Sequence, residues 1–570
     1  MQGFFSKIYI STKSNINIWI GVFIICFAFG CKGVVSNNTK VAESPDETIN
    51  SKKYNVLFVI CDDLNDVVEG MGGSVQAHTP NMSKLAEEGV LFMNAHSNFP
   101  ICAPSRASLF SGIYPNKSGV MDFIHWKESP VLKDAVSIFD HFKNNGYQVY
   151  GTGKLHHFEG DFKNTWIDEN GQSTYGEPTS YGPFVYNGET IKTLHPSMAY
   201  LANFITDEHA KIASSMETSF GPLSDVPHFD PDIERNIPGF DGWYNGTSKF
   251  EYIDERHRDS MPDELSAQWA IKKLQEKHDA PFFLGVGFVR PHTPLFVPKK
   301  YFDMFPLENI QLPPYKENDL DDCQDFVNYV RKYGFDRFDL YKRAGGELLW
   351  KKFMQAYLAS VAFADDQLGK VLDALENSDY ADNTIVVFTS DHGFHLGEKD
   401  YNFKDTNWEE SSRIPLIIAM PNAKQKGKTV NHAVSLIDIY PTLNDLCGIS
   451  NVPNRHTNQA SLDGFSLRPF LENPETDTWS GPDAALIATY GEWVENGKQI
   501  VQGEKKAHNF SLRNNRYRYT RYENGAEELY DHDVDPNEWT NIAKDKSQKE
   551  RIEAFRTQLD GRLKESITIK

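Results

Sequence analysis

Three short apolar runs constrain this chain more than anything else in it. Val56–Ile60, Phe282–Phe288 and Thr384–Thr389 are rich in Val, Ile and Phe and show no polar alternation. A strand with one wet face alternates, so these read as strands buried on both faces, with helices packed above and below them. Helical segments are interleaved with them. Pro80–Glu88 has Thr79 as its N-cap and Gly89 just past its end, and Ser137–Asn145 closes at Gly146 and leads into a strand over Tyr147–Tyr150. Pro262–His278 and Glu347–Glu376 complete the pattern. The fold class this predicts is α/β, a mostly parallel sheet sandwiched by helices. Such sheets bind ligands beyond the carboxyl ends of their strands. At those ends stand Asp62 and Asp63, Lys154, His292, and Asp391 with His392.

The pentapeptide Cys102-Ala103-Pro104-Ser105-Arg106 follows a polar loop and opens a further helix. A cysteine there is a buried filler, a metal ligand or a nucleophile. Pro104 suits a first helical turn, and Arg106 lies one turn along the same face. The positive end of the helix and a guanidinium together favour an anion. Asp62, Asp63 and Asp391 are hard oxygen ligands that suit Ca²⁺ or Mg²⁺ better than zinc. Alone, the Asp62-Asp63 pair reads equally well as a solvated strand end or a helix cap.

Cys-x-Pro-Ser-Arg resembles the signature of type I sulfatases, and the resemblance runs from about Tyr54 to the C-terminus. It is carried by Asn55–Leu64, the Cys102 motif with Gly112 and Pro115, Gly153-Lys154-Leu155-His156-His157 and Arg290-Pro291-His292-Thr293-Pro294. Ser390-Asp391-His392-Gly393, Leu396-Gly397-Glu398 and Leu436–Thr442 continue it. The pattern is most similar to the iduronate-2-sulfatase-like branch, which has histidine at the position of His392 where many sulfatases have asparagine. The resemblance implies an alkaline-phosphatase-like fold and hydrolysis of sulfate esters. It implies oxidation of Cys102 to formylglycine by a maturation enzyme, and a divalent cation, Ca²⁺ or else Mg²⁺, held by Asp62, Asp63, Asp391, His392 and residue 102. Arg106 and Lys154 would stabilise the aldehyde hydrate, Lys154 and Lys404 would contact the sulfate, and His292 would lie near the leaving oxygen. Lys404 is placed only by its distance after Asp391-His392 and otherwise reads as an exposed lysine. The histidine that acts on the second hydroxyl of the hydrate is His156 by the spacing of many sulfatases and His157 by that of the iduronate branch, which the other motifs follow.

That chemistry explains a modified cysteine. One hydroxyl of the hydrate attacks sulfur, and a base then draws the proton from the other, so that the carbonyl re-forms and sulfate departs; a serine ester would need direct hydrolysis. The expected substrate is a sulfated oligosaccharide, uronic-acid- or rhamnose-containing and ulvan- or glycosaminoglycan-like. Two other readings compete. One is a phosphonate or phosphodiester hydrolase of the same superfamily, and the other is an inactive carbohydrate-binding surface lipoprotein with an unmodified Cys102.

The chain has 570 residues and a formal net charge of -21, from 58 basic and 79 acidic side chains. This argues against a nucleic-acid binder, and a polyanionic substrate must be drawn by a local basic pocket. Lys7 and Lys13 precede an apolar run, Ile18–Gly30, that is short for a membrane span and suits an export signal. Ala28-Phe29-Gly30-Cys31 resembles a bacterial lipobox, with simple signal cleavage as the alternative. The expected location is the periplasm or outer surface of a bacterium, with membrane contact only through a lipid on Cys31. The six cysteines form no disulfide framework. The organisation read from these features is a signal over 1–31, a polar linker over 32–53, a catalytic domain over 54–450 and a C-terminal α+β subdomain over 451–570.

Phe158–Pro262 and Cys323–Gly346 look irregular and are expected to wall the substrate cleft. In the C-terminal part Ala485–Tyr490, His508–Arg513, Arg516–Tyr522 and Glu528–Tyr530 read as strands of an antiparallel sheet, and Lys549–Leu563 as a final helix. The alternation Arg516-Tyr517-Arg518-Tyr519-Thr520-Arg521-Tyr522 predicts one aromatic face and one solvated basic face.

Overall fold

The computed structural model describes residues 53–158, 164–184, 218–229, 240–245, 248–451, 461–491, 494–495, 498–499 and 507–564. The signal, the lipobox and all but the end of the linker lie outside the described residues. Lys52–Lys570 form one compact unit. Among the described residues no helix is long and apolar enough to cross a membrane.

The main sheet contains β1 (Asn55–Asp62), β2 (Val90–His96), β3 (Gln148–Gly153), β4 (Phe282–Pro291), β5 (Thr384–Ser390), β6 (Arg413–Ala419), β7 (Lys428–Val430) and β8 (Val434–Ser435). The order across it is β7-β2-β6-β5-β1-β4-β3, with β8 also paired to β2. Only β6 runs against its neighbours β5 and β2; the other pairings are parallel. β1 shows why these runs lack alternation. Leu57, Val59 and Cys61 enter one core, together with Met261 and Ala267 and with Phe353 and Tyr357. Val56, Phe58 and Ile60 enter another, with Leu109, Phe110, Phe139 and Ile439. Both faces of the strand are thereby dry. The first core is supplied by α1 (Pro80–Glu88), α4 (Pro262–Gln275) and α5 (Gly346–Glu376), the second by α2 (Cys102–Ser111) and α3 (Ile138–Asn144).

A second sheet of four antiparallel strands follows: β9 (Ala484–Gly491), β10 (Ala507–Asn514), β11 (Tyr517–Arg521) and β12 (Glu527–Asp531). The final helix α6 (Lys549–Lys564) buries Ile552, Phe555 and Leu559 against it, the Phe555 ring lying parallel to Tyr519 at 5.5 Å.

Several local expectations are corrected. Thr79 holds the N-cap position of α1, but its hydroxyl accepts from the Glu69 amide at 2.9 Å, and the first-turn amides of Asn81 and Met82 donate instead to the Asp365 carboxylate at 3.1 and 2.8 Å. Gly89 is extended, with φ -125, and not left-handed. Ser137 does cap α3, accepting from the Asp140 amide at 3.1 Å. Within Cys323–Gly346, Lys332–Phe338 and Asp339–Ala344 are helical turns. The basic face of β11 is not solvated: Arg518 is fully buried, between Glu409 and Glu538. The alternation gave the strand, but the carboxylates that cover its charge come from distant loops.

Candidate active site

Each strand end delivers its side chains to one place because the backbone there is held from several sides. Asp63 leaves β1 with φ 65, a left-handed conformation that a non-glycine residue adopts at a cost. Its amide donates to Asp391 Oδ1 at 3.4 Å, and its carbonyl accepts from the Tyr357 hydroxyl at 2.7 Å. Lys154 leaves β3 through Gly153, where a Cβ would lie 2.0 Å from the Gly287 carbonyl oxygen. That close approach lets the Lys154 amide donate to Gly287 at 2.9 Å. On β4, the buried carboxylate of Asp263 accepts from the amides of Val289 and Arg290 at 2.8 and 2.9 Å, fixing the strand end that carries His292. The Ser105 hydroxyl donates to the Asp391 carbonyl at 2.6 Å and ties α2 to β5.

These ends converge on Cys102, the first residue of α2, which is 2% exposed. Its sulfur lies 3.2 Å from Lys404 Nζ, 3.3 Å from His392 Nε2 and 3.4 Å from Asp62 Oδ1. Burial alone would raise the Cys102 pKa. The positive charges of Lys154, Lys404 and His392, helped by the neighbouring His157 ring, outweigh it and hold the thiol well below its ordinary value. The position is built for an anion.

Lys154 pairs with Asp62 Oδ2, and Lys404 with Asp63 Oδ1 at 2.6 Å. Arg106 reaches away from the sulfur. Its Nε donates to Asp391 Oδ2 at 2.8 Å and its Nη1 to the carbonyls of Lys154 and Leu155, so it braces the site from beneath. His392 Nδ1 donates to the Gly393 carbonyl at 3.0 Å, which leaves Nε2 turned toward Cys102, Asp62 and Asp391. Burial disfavours the charged ring, but Asp391 and the thiol overcome this and bring His392 up to about 9. Burial likewise pushes Asp391 up to about 6, against the pull of Arg106. His292 Nε2 stands 3.8 Å from Asp63 Oδ2, and its Nδ1 is bonded to the Thr293 carbonyl at 2.5 Å.

The two adjacent histidines part company. His156 is buried among Phe110, Phe139 and Trp166, and burial with the Arg106 charge pushes its pKa well down. His157 turns to the thiol, with Phe123 and Phe158 on its other sides. Tyr181, to which no role is given by the sequence, has Lys154 Nζ 4.7 Å from its ring centre and the His292 ring at 4.9 Å. Arg290 pins it through the Tyr181 and Gly182 carbonyls. Its only sequence signal is its place in an irregular, tyrosine-bearing segment.

The donor set fits a hard divalent cation. Ligand atoms of Asp62, Cys102, Asp391 and His392 all lie within 4.8 Å of one another, as do those of Asp62, Asp63, Cys102 and His292. Asp62 and Cys102 are common to both groups, Asp63 belonging to one and Asp391 to the other, and carboxylate donors of this kind prefer Ca²⁺ or Mg²⁺.

The Sulfatase family model matches residues 54–449, and the N-sulphoglucosamine sulphohydrolase C-terminal model matches 397–565. The chain is 34% identical to a sulfatase of Formosa agariphila over 89% of its own length and 86% of that protein. It is 28% identical to iduronate 2-sulfatase of Mus musculus, over 82% and 84% of the two chains. Among solved structures, a 2-O GAG sulfatase superposes with a TM-score of 0.61 at 22% identity, covering 90% of this chain and 93% of the other.

Proposed function

Since the chain belongs to the sulfatase family and is a hydrolase of sulfate esters, we propose that its substrate is a sulfated oligosaccharide and its nucleophile a formylglycine made from Cys102. The observation that carries this is the single sulfur atom ringed by Lys404, His392 and Asp62 at 3.2 to 3.4 Å. The thiol stands where the hydrated aldehyde of the mature residue would stand. A maturation enzyme supplies that oxidation, and the hydrate supplies a hydroxyl for attack and a second one to be deprotonated.

Asp62, Asp63, Asp391, His392 and residue 102 would hold a divalent cation, which would supply Lewis-acid polarisation of a sulfate oxygen and of the attacking hydroxyl. Lys154 and Lys404 already flank residue 102, and they neutralise the sulfate oxygens as the S–O bond to the sugar breaks. His292 stands across the site, within reach of the departing sugar oxygen, and donates its proton there. His157 takes the proton from the second hydroxyl, the carbonyl re-forms, and sulfate leaves from residue 102. His156 has no part in the step, because its ring is packed among aromatics. Arg106 holds Asp391 and the Lys154 backbone and acts through them.

Likeness to an iduronate 2-sulfatase and to a 2-O GAG sulfatase favours a 2-sulfated uronic acid or a similar sugar, in a glycosaminoglycan- or ulvan-like chain. Export and a lipid anchor at Cys31 would place the enzyme beside such polymers. The test joins a peptide mass spectrum across Cys102 with a screen of defined sulfated oligosaccharides, on protein made beside a competent maturation system. Aldehyde at residue 102 and released sulfate are expected, with turnover abolished in Cys102→Ala. An unmodified thiol, or a Cys102→Ala variant with normal rates, overturns the assignment. Faster turnover of a phosphonate or phosphodiester would transfer the chemistry to that ester class.

A further inference from the structure

The mechanism accounts for one side of His157 and leaves the other unexplained. Two segments meet there. One is the turn Asp122–His125, whose Phe123 is 39% exposed and whose His125 is exposed as well. The other is His157-Phe158, which continues from Lys154. Phe123 lies 4.9 Å from the His157 ring, Phe158 packs edge-on to it at 4.7 Å, and His125 stacks on Phe158 at 4.0 Å. Four rings thus run unbroken from His157 out to solvent.

The turn is held from below. Met121 and Trp126 are 7% and 5% exposed, and the Ile124 amide donates to the Asp122 carbonyl at 2.8 Å. An exposed phenylalanine keeps apolar surface in water, and among the described residues the Phe123 ring has the His157 ring as its one aromatic partner. A ligand face gives it a reason to be there.

We propose that Phe123, His125 and Phe158 form a platform for a pyranose ring of the saccharide that carries, or adjoins, the reacting sulfate. The inference rests on the sulfate-ester reading and adds the substrate contact that the charged site lacks. A sugar ring presents axial C–H groups on one face, which pack on an aromatic plane, while its hydroxyls remain at the edge and stay wet. Charge could not do this work. The chain carries a net charge of -21, so attraction for a polyanion is confined to the sulfate pocket, and a neutral platform reads the sugar without adding repulsion.

The test compares Phe123→Ala and Phe123→Tyr with the parent enzyme, on a sulfated oligosaccharide and on an alkyl sulfate without a ring. The ratio of kcat/KM for saccharide over alkyl sulfate should fall roughly tenfold in Phe123→Ala, the size of one aromatic contact, and should be retained in Phe123→Tyr. A parallel loss on both substrates would show that the ring merely supports His157, and an unchanged ratio would show that it does nothing; either result overturns the platform. A second readout needs no turnover: binding of the same oligosaccharide to Cys102→Ala with and without Phe123→Ala. Weaker binding by a similar factor is expected, and equal affinity overturns the platform. A parent enzyme that binds the saccharide but splits neither ester would defeat the sulfate-ester reading without touching the platform.

Discussion

Among the described residues, two buried charge clusters differ in the cations that face their carboxylates. At the strand ends, Asp62, Asp63 and Asp391 face Lys154, Lys404 and Arg106 around one sulfur. Where the second sheet meets the loop after β5, Glu409 and Glu538 face Arg518, Arg513 and His532. Glu409, His532 and Glu538 also come close enough to one another to hold an ion. The second cluster nonetheless reads as a clamp. Arg518 spends its guanidinium on Glu409, Glu538 and the Asn407 carbonyl, with fixed geometry and no exchangeable partner. Lysine is a mobile point charge that can move from a carboxylate to a sulfate. Arginine serves where the pairing is permanent, and lysine where it must be given up during reaction.

The clamp also bears on the site. Asn407 and Glu409 belong to the same loop as Lys404. The Glu409 amide donates to Glu538 at 3.0 Å, and the Asp405 amide donates to the Pro100 carbonyl at 2.8 Å, two residues before Cys102.

The largest expected effect breaks the clamp. Arg518→Met leaves the buried Glu538 without its main counter-charge and takes one of the cations from Glu409, and stability should fall by about 3–5 kcal/mol, read from the urea midpoint. Lys404→Met in the other cluster should lower kcat by roughly 100- to 1,000-fold while protein supplied with Ca²⁺ keeps most of its stability, because on the proposed mechanism a bound cation would neutralise Asp63 in its place. Equal stability losses in the two variants would erase the distinction between a clamp and a reacting site.

The sequence shows one cluster far more clearly than the other. Strand ends are legible because a strand buried on both faces must announce itself as an apolar run, and the polar residue that follows lies at the edge of the sheet. Asp62, Asp63, Lys154, His292, Asp391 and His392 are found in that way. β2 and β6 are missed. β6 holds Pro415 in the middle of the sheet, which normally argues against a central strand, and the register slips between Ile414 and Leu416. The slip accommodates a residue that cannot donate to the ladder. Strand direction leaves no mark in composition, so the single antiparallel strand is visible only in three dimensions. Arg518 fails for another reason: alternation fixes which face a side chain takes, while the acids that bury this one lie 109 residues before it and 20 after it. Lys404 lies between these cases, since its loop is positioned by the clamp and by no local pattern.

A smaller effect distinguishes the clusters by pH. Burial would raise the Glu538 pKa from 4.5, but Arg518 and His532 outweigh it and bring it down to about 2. The unfolded chain therefore takes up this proton first on acidification. Stability from Glu538 is fully present above about 4.5 and is lost as pH falls from there through about 2. Glu538→Gln removes the titrating group, so the difference in urea midpoint between parent and variant should shrink steadily across that window. A difference that stayed constant with pH would mean that the carboxylate is not held ionised by its neighbours.

The smallest effect lies two residues from the largest. Arg516 makes a two-pronged pair with Asp531, at 2.8 and 2.7 Å, and also reaches Asp533 at 3.1 Å. Its grip on one carboxylate is as well formed as either ion pair of Arg518, yet its side chain is 48% exposed where that of Arg518 is 0% exposed. Water can replace each of its partners, salt screens the pair, and holding a long side chain in one rotamer costs entropy. Arg516→Ala should therefore give a melting curve that overlies the parent curve, at low and high salt alike. If it destabilised the protein as Arg518→Met does, the geometry of the ion pair would be the controlling quantity and burial would not. The contrast between the two clusters would then need a cause other than the exclusion of water from both.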